Sequence, residues 1–177
     1  VFDGLHRGPA QLARAASTYG KEHAIPAVLL SFDPHPSSVV GKKIAPLRLS
    51  SMDFRAQLAV ELGITDVVVL HFTPERAAQD ATEFVKEVLV NRLHAEHVVV
   101  GENFRFGARA AGTPQMLTEL GKEYGFTTEV VPLLEEEGHT VSSTYIRESL
   151  AEARIRDAIR ALGHLPRVAG EVVHGAG

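Results

Sequence analysis

The stretch Phe2-Asp3-Gly4-Leu5-His6-Arg7-Gly8, followed by Pro9, decides the fold of this chain. An apolar stub, Val1-Phe2, runs into a turn with two glycines and a histidine, and residues 9–16 read as a helix. Proline is favoured at the first helical position, where its missing N–H costs nothing. Gly4 and Gly8 permit positive φ and close backbone approach. A strand end, a glycine turn and a helix N-terminus therefore meet here. The N–H groups and positive dipole end of such a helix attract phosphate, and His6 is placed to donate a hydrogen bond to a phosphate oxygen. By itself the stretch fits equally well a tight strand-to-helix turn with an exposed histidine.

Outward from this turn, short apolar runs alternate with helical patterns. Residues 28–32 read as a buried strand, ended by Asp33-Pro34-His35-Pro36 because two prolines cannot continue a ladder. A helix spans about 51–62, with Ser51 as N-cap and Gly63 as its stop. Strands follow at 66–71, 97–100 and 127–131. Between them lie a helix opened by the capping-box spacing of Asp80 and Glu83, a glycine-bearing loop from Gly101 to Gly112, and a helix begun by Thr113-Pro114. Glu135-Glu136-Glu137-Gly138 reads as a solvated turn, and Ser143 or Thr144 caps a last pair of helices closed by Gly163. Alternation of this kind predicts a Rossmann-like α/β fold with a parallel sheet. Ligands in such sheets bind beyond the carboxyl ends of the strands. The stub Val1-Phe2 predicts a first strand cut short.

Composition narrows the function classes. The 177 residues suit one domain, and 45% hydrophobic content is ample for a core. A net charge of −4, from 18 Lys+Arg against 22 Asp+Glu, makes no electrostatic case for nucleic acid. No apolar run approaches the ~20 residues that span a bilayer, no signal peptide is visible, and there is no cysteine. The expectation is a cytoplasmic enzyme without membrane or nucleic-acid partners. His23, His71, His94, His97, His139, His164 and His174 lack metal-ligand spacing and read as surface or structural.

Three further stretches bear on the chemistry. Ser143, Thr144 and Arg147, in Val141-Ser142-Ser143-Thr144-Tyr145-Ile146-Arg147, fall on one helical turn. Hydroxyls and N–H groups there can hold one phosphate while Arg147 makes a bidentate contact with another; the plain alternative is an N-cap and a surface arginine. In the loop Gly101-Glu102-Asn103-Phe104-Arg105-Phe106-Gly107, two phenylalanines flank an arginine. An exposed ring there could stack on a flat ligand, or could pack inward to anchor the loop. Phe32-Asp33-Pro34-His35-Pro36 forms a rigid turn at a strand end. A general base is not required of His35, because phosphate oxygens are already ionised nucleophiles.

Together with Phe2-Asp3-Gly4-Leu5-His6-Arg7-Gly8, these stretches resemble the FMN adenylyltransferase module of bacterial bifunctional riboflavin kinase/FAD synthetases, in the nucleotidylyltransferase superfamily. The resemblance covers almost the whole chain, in order. It implies transfer of AMP from ATP to FMN, giving FAD and pyrophosphate, with Mg²⁺ arriving on the triphosphate. It implies roles for His6, Arg147 and Asn103 in catalysis, and for Phe2, Asp3, Gly4, Gly8, Ser143 and Thr144 in ATP binding. It places Phe32, Pro34, His35, Pro36, Phe104, Arg105 and Phe106 around the flavin, and no resident metal ligands. Residues 1–163 would be this module, and 164–177 a linker and the threshold of a riboflavin kinase domain in the same parent chain. One position departs from the pattern. The superfamily motif reads His-x-Gly-His, and Pro9 stands where the second histidine belongs. Proline lacks both imidazole and N–H, so two possible phosphate donors are missing at one place. A module that binds flavin and nucleotide with impaired turnover therefore stays open, as does an adenylyltransferase for another phosphorylated acceptor such as phosphopantetheine.

Overall fold

The computed structural model describes residues 2–40, 46–168, 170, 171 and 173–175. Val1 of the expected strand stub, and residues 169, 172, 176 and 177 of the closing stretch, lie outside them. The chain opens with a 3₁₀ turn, Asp3–Leu5, and the helix α1 (Arg7–His23). Strand β1 (Val28–Asp33) leads to a one-turn helix α2 (Pro36–Val40), then α3 (Met52–Glu61) and β2 (Asp66–His71). After α4 (Pro74–Ala78) and α5 (Ala81–Phe84), a π-helical segment Val85–Arg92 precedes β3 (His97–Gly101). Then come α6 (Pro114–Tyr124), β4 (Thr127–Val131), the short β5 (Glu135–Glu136) and β6 (His139–Thr140), and the helices α7 (Ser143–Ala151) and α8 (Ile155–Leu162).

The expected parallel α/β pattern is present. β1 and β2 pair in parallel, with Val28 opposite Asp66, and so do β3 and β4, with His97 opposite Thr127. Among the described residues the two pairs are not bonded to one another. They share a core instead. Phe84, Val85, Val88, Leu89, Val100 and Phe106 are buried together, and Leu30 and Phe32 of β1 pack against them. A second cluster beneath the 3₁₀ turn joins Leu5, Ala13 of α1, Leu29 of β1 and Ile64. Burial at this density is the main favourable contribution to stability.

Local sequence rules set most helix starts. Ser51 Oγ accepts from Phe54 N, Thr113 Oγ1 from Met116 N, and Asp80 from both Thr82 N and Glu83 N. Four expectations need correction. α1 begins at Arg7, so Pro9 is its third residue rather than its first; its absent N–H is still one of those a helix start leaves unpaired. The cap of α7 is Ser142, whose Oγ accepts from Tyr145 N, and not Ser143 or Thr144. Glu135 and Glu136 belong to a small antiparallel hairpin with His139 and Thr140, pinned by ion pairs of Glu136 with Arg7 and of Glu137 with Arg160. Finally, Phe2 stands outside any strand, at φ −91° and ψ 55°.

Candidate active site

The turn Asp3–Leu5 is the hub. Gly4 takes φ +78°, which only glycine adopts without strain, and a Cβ there would lie 3.1 Å from Leu49 Cβ. Distant segments hold several polar groups of the turn. Gly4 N donates to Ser50 Oγ at 3.1 Å, and Gly4 O lies 2.9 Å from His164 Nε2. Ser143 Oγ donates to Asp3 O at 3.1 Å. Both Asp3 carboxylate oxygens accept from Leu49 N at 3.1 Å, and one pairs with Arg147 Nη2. Arg147 Nε in turn donates to Leu47 O at 2.7 Å. Asp3 is only 5% exposed, so the ion pair is a shielded one, in which losing either partner strands the other.

His6 follows the turn and is 6% exposed. Its Nδ1 is sealed from solvent and has no hydrogen-bond partner among the described residues. Burial pushes the imidazole down to about 4; the Asp3 carboxylate opposes this, while Arg147 and His164 reinforce it. At neutral pH His6 is therefore uncharged and can offer one N–H to an anion. Gly8 gives it room: a Cβ at that position would meet His6 Cε1 at 3.3 Å. Ser143 and Thr144 are the first two residues of α7, half-buried and exposed respectively. Thus Phe2, Asp3, Gly4, His6, Gly8, Ser143, Thr144 and Arg147 come together as two helix N-termini, those of α1 and α7, facing one glycine turn. Such ends carry unpaired N–H groups and a positive dipole.

The second group closes the carboxyl end of β1. Phe32 lies in β1, and Pro34, His35 and Pro36 are half-buried just after it. His35 Nδ1 accepts from Ser37 N at 3.1 Å, which leaves the proton of the neutral ring on Nε2. Burial keeps the imidazole below its ordinary value. Asp3, Arg147 and Arg55 are close enough to act on it electrostatically, so this turn neighbours the first group.

The third group, after β3, is tied to the second through rings. Phe72–Phe32, Phe32–Phe84, Phe84–Phe106 and Phe106–Phe104 are successive neighbours, with centroids 5.4, 6.3, 6.1 and 5.4 Å apart. Phe106 is buried in the core and Phe104 half-buried upon it, while Asn103 and Arg105 are exposed. Arg105 Nη1 donates to Phe104 O at 2.7 Å. The rings thus link the Asn103 loop to the end of β1 through the core.

Sequence reasoning missed three contributors: the Leu47–Ser50 segment that binds the turn, His164, and Arg55 on α3. The groups they act on are remote in sequence, so no local pattern marks them. Among the described residues no cluster of His, Asp and Glu could hold a metal ion, and both Asp3 oxygens are engaged by the protein.

An α/β module with two helix N-termini on one glycine turn is what this arrangement describes, and comparison with known proteins makes the class specific. Residues 1–145 match the family model "FAD synthetase". Two relatives carry the name bifunctional riboflavin kinase/FMN adenylyltransferase. That of Escherichia coli (strain K12) is 33% identical, and that of Pseudomonas fluorescens 35%; each alignment covers 98% of this chain and 56% of the relative. The chain thus spans about half the length of the curated relatives it matches. A solved structure titled a macrolide-efflux protein from Streptococcus pneumoniae superposes with a TM-score of 0.88 at 27% identity, over 99% of this chain and 58% of the other. The chain belongs to the FAD synthetase family.

Proposed function

We propose that this chain transfers the AMP moiety of ATP to FMN, forming FAD and pyrophosphate. The observation that carries the reading is the paired N-termini of α1 and α7 on one glycine turn, in a chain of this family. A phosphate oxygen of FMN attacks the α-phosphorus of ATP in line, the α–β phosphoanhydride bond breaks, and pyrophosphate leaves. The protein forms no covalent bond, so positioning and charge stabilisation carry the rate. Ser143, Thr144 and the two helix ends receive the triphosphate, with Phe2, Asp3, Gly4 and Gly8 shaping its floor. His6 donates to it as a neutral imidazole, and Arg147, oriented by Asp3, faces the charge that develops on pyrophosphate. Mg²⁺ comes with the triphosphate, since Asp3 is already engaged. Pro34, His35 and Pro36 line the flavin side with Asn103, Phe104 and Arg105. Phe32 and Phe106 support that wall from within the core.

The family match and the names of the relatives support flavin over another phosphorylated acceptor. We read residues 1–163 as this module, and 164–177 as the join toward a riboflavin kinase module of the kind those longer relatives are named for. No helix among the described residues is long and apolar enough to cross a membrane, which suits a cytoplasmic enzyme with ATP and FMN as its small-molecule partners. Pro9 favours a second reading, a binder with impaired turnover. Incubation with FMN and Mg·ATP, followed by chromatography, decides between them. FAD and equimolar pyrophosphate are expected; flavin binding without FAD selects the binder, and binding of phosphopantetheine in place of FMN refutes the flavin assignment.

A further inference from the structure

Arg55 is a buried cation with no ion pair of its own among the described residues. It sits in the first turn of α3, the helix that packs against the Asp3–Leu5 turn, and is 8% exposed. Its Nε is sealed and unpartnered, and among the described residues its guanidinium makes no hydrogen bond and no ion pair. The carboxylates close enough to act on it are Asp3 and Asp33. Both are committed to other arginines: Asp3 to Arg147, and Asp33 to Arg48 at 3.0 Å. Three guanidinium groups therefore share two carboxylates, and the one left over is the most deeply buried. A buried unpaired charge opposes folding, so its retention calls for an anion that is not part of the protein.

Its place says which anion. Arg55 belongs to the helix that packs on the nucleotide turn, and it is close enough to feel both Asp3 and Asp33, the last residue of β1 before Pro34 and His35. The triphosphate, on the reading above, lies over the N-termini of α1 and α7, while Arg55 is carried by a third helix, α3. In-line displacement requires the attacking phosphate to approach from the side away from the departing pyrophosphate. We infer that Arg55 binds the phosphate of the acceptor flavin, holding its attacking oxygen toward the α-phosphorus of ATP. The planar fork of arginine suits two charge-assisted bonds to a dianionic phosphate. This inference rests on the flavin reading.

The test is equilibrium binding of FMN, riboflavin and ATP to the chain and to its Arg55→Met and Arg55→Lys variants, with melting temperatures recorded with and without ligand. The unaltered chain should prefer FMN to riboflavin by roughly 10- to 100-fold, the worth of a hydrogen-bonded charge. Arg55→Met should bind FMN no better than riboflavin, with riboflavin and ATP affinities unchanged, and Arg55→Lys should keep part of the preference. Without ligand, Arg55→Met should melt no lower than the unaltered chain, because it loses an unpaired charge and not a contact, and FMN should raise its melting temperature less. The inference fails if Arg55→Met keeps the FMN preference, if ATP affinity falls instead, or if the ligand-free variant is destabilised. Failure of the unaltered chain to bind either flavin overturns the flavin reading and the inference together.

Discussion

Acid should destabilise this protein through one histidine. In the folded state His6 takes up its proton only near pH 4, whereas in the unfolded chain it does so at its ordinary value of 6.5. As pH falls below 6.5 the unfolded state gains a proton that the buried ring refuses, so stability falls until about pH 4, and below that both states are protonated. At about 1.4 kcal/mol per pH unit, the gap between 6.5 and about 4 is worth about 3 kcal/mol. His6→Gln, neutral at every pH, removes this dependence while other titrating groups contribute equally to both proteins. Urea denaturation at pH 7, 5.5 and 4 should show the unaltered chain losing about 3 kcal/mol more than His6→Gln. In thermal melts the excess is roughly 6–12 °C for a chain of this size. Parallel pH profiles for the two proteins, or an NMR titration of the His6 ring with a midpoint near 6.5, would refute the reasoning. On the proposed reading, the same burial means that His6 serves near neutral pH as a donor and not as a cation.

Arg147→Ala should lower kcat by roughly 10²–10³-fold and also lower the melting temperature, because Asp3 is left buried without its partner. Arg147→Lys keeps a positive charge beside Asp3 and should restore stability more than kcat, since the fork is lost; full recovery of kcat would reduce Arg147 to a strut. Pro9→His should raise kcat by up to ~10²-fold with little change in KM, as a restored transition-state donor does, while Pro9→Ala should not; equal rates for all three would show that the second histidine is dispensable. Gly4→Ala should destabilise the fold by about 1–3 kcal/mol in denaturant titration, from the positive φ and the close Leu49 Cβ. An unchanged denaturation midpoint would mean that the turn can relax.

Much of the architecture was legible because its causes are local. Ser51, Asp80 and Thr113 cap the helices expected of them, since each bond joins residues two or three apart. The strands at 28–33, 66–71, 97–101 and 127–131 announce themselves as short apolar runs between turn residues. Caps placed one residue off, as at α7, reflect a choice among three neighbouring hydroxyls, Ser142, Ser143 and Thr144, that sequence leaves equivalent. Packing broke the tie: Ser143 turns its hydroxyl to Asp3 O, and Ser142 is left to cap.

By itself the sequence determined the alternation of strands and helices, the glycine turn before α1, and the residue types able to meet phosphate. Tertiary structure alone decided what those residues experience. Asp3 meets Leu49 and Arg147 across 46 and 144 positions, and Gly4 meets His164 across 160, separations at which no periodicity survives. A histidine in a turn is exposed by default, yet the folded chain buries His6 and so keeps it neutral. Phe104 and Phe106 look alike in sequence, but only the latter faces Phe84 and disappears into the core. Arg55 looks like an ordinary helical arginine until burial without a partner among the described residues distinguishes it. Charge state and exposure depend on everything that surrounds a group in space, and for these residues the surroundings come from the far end of the chain.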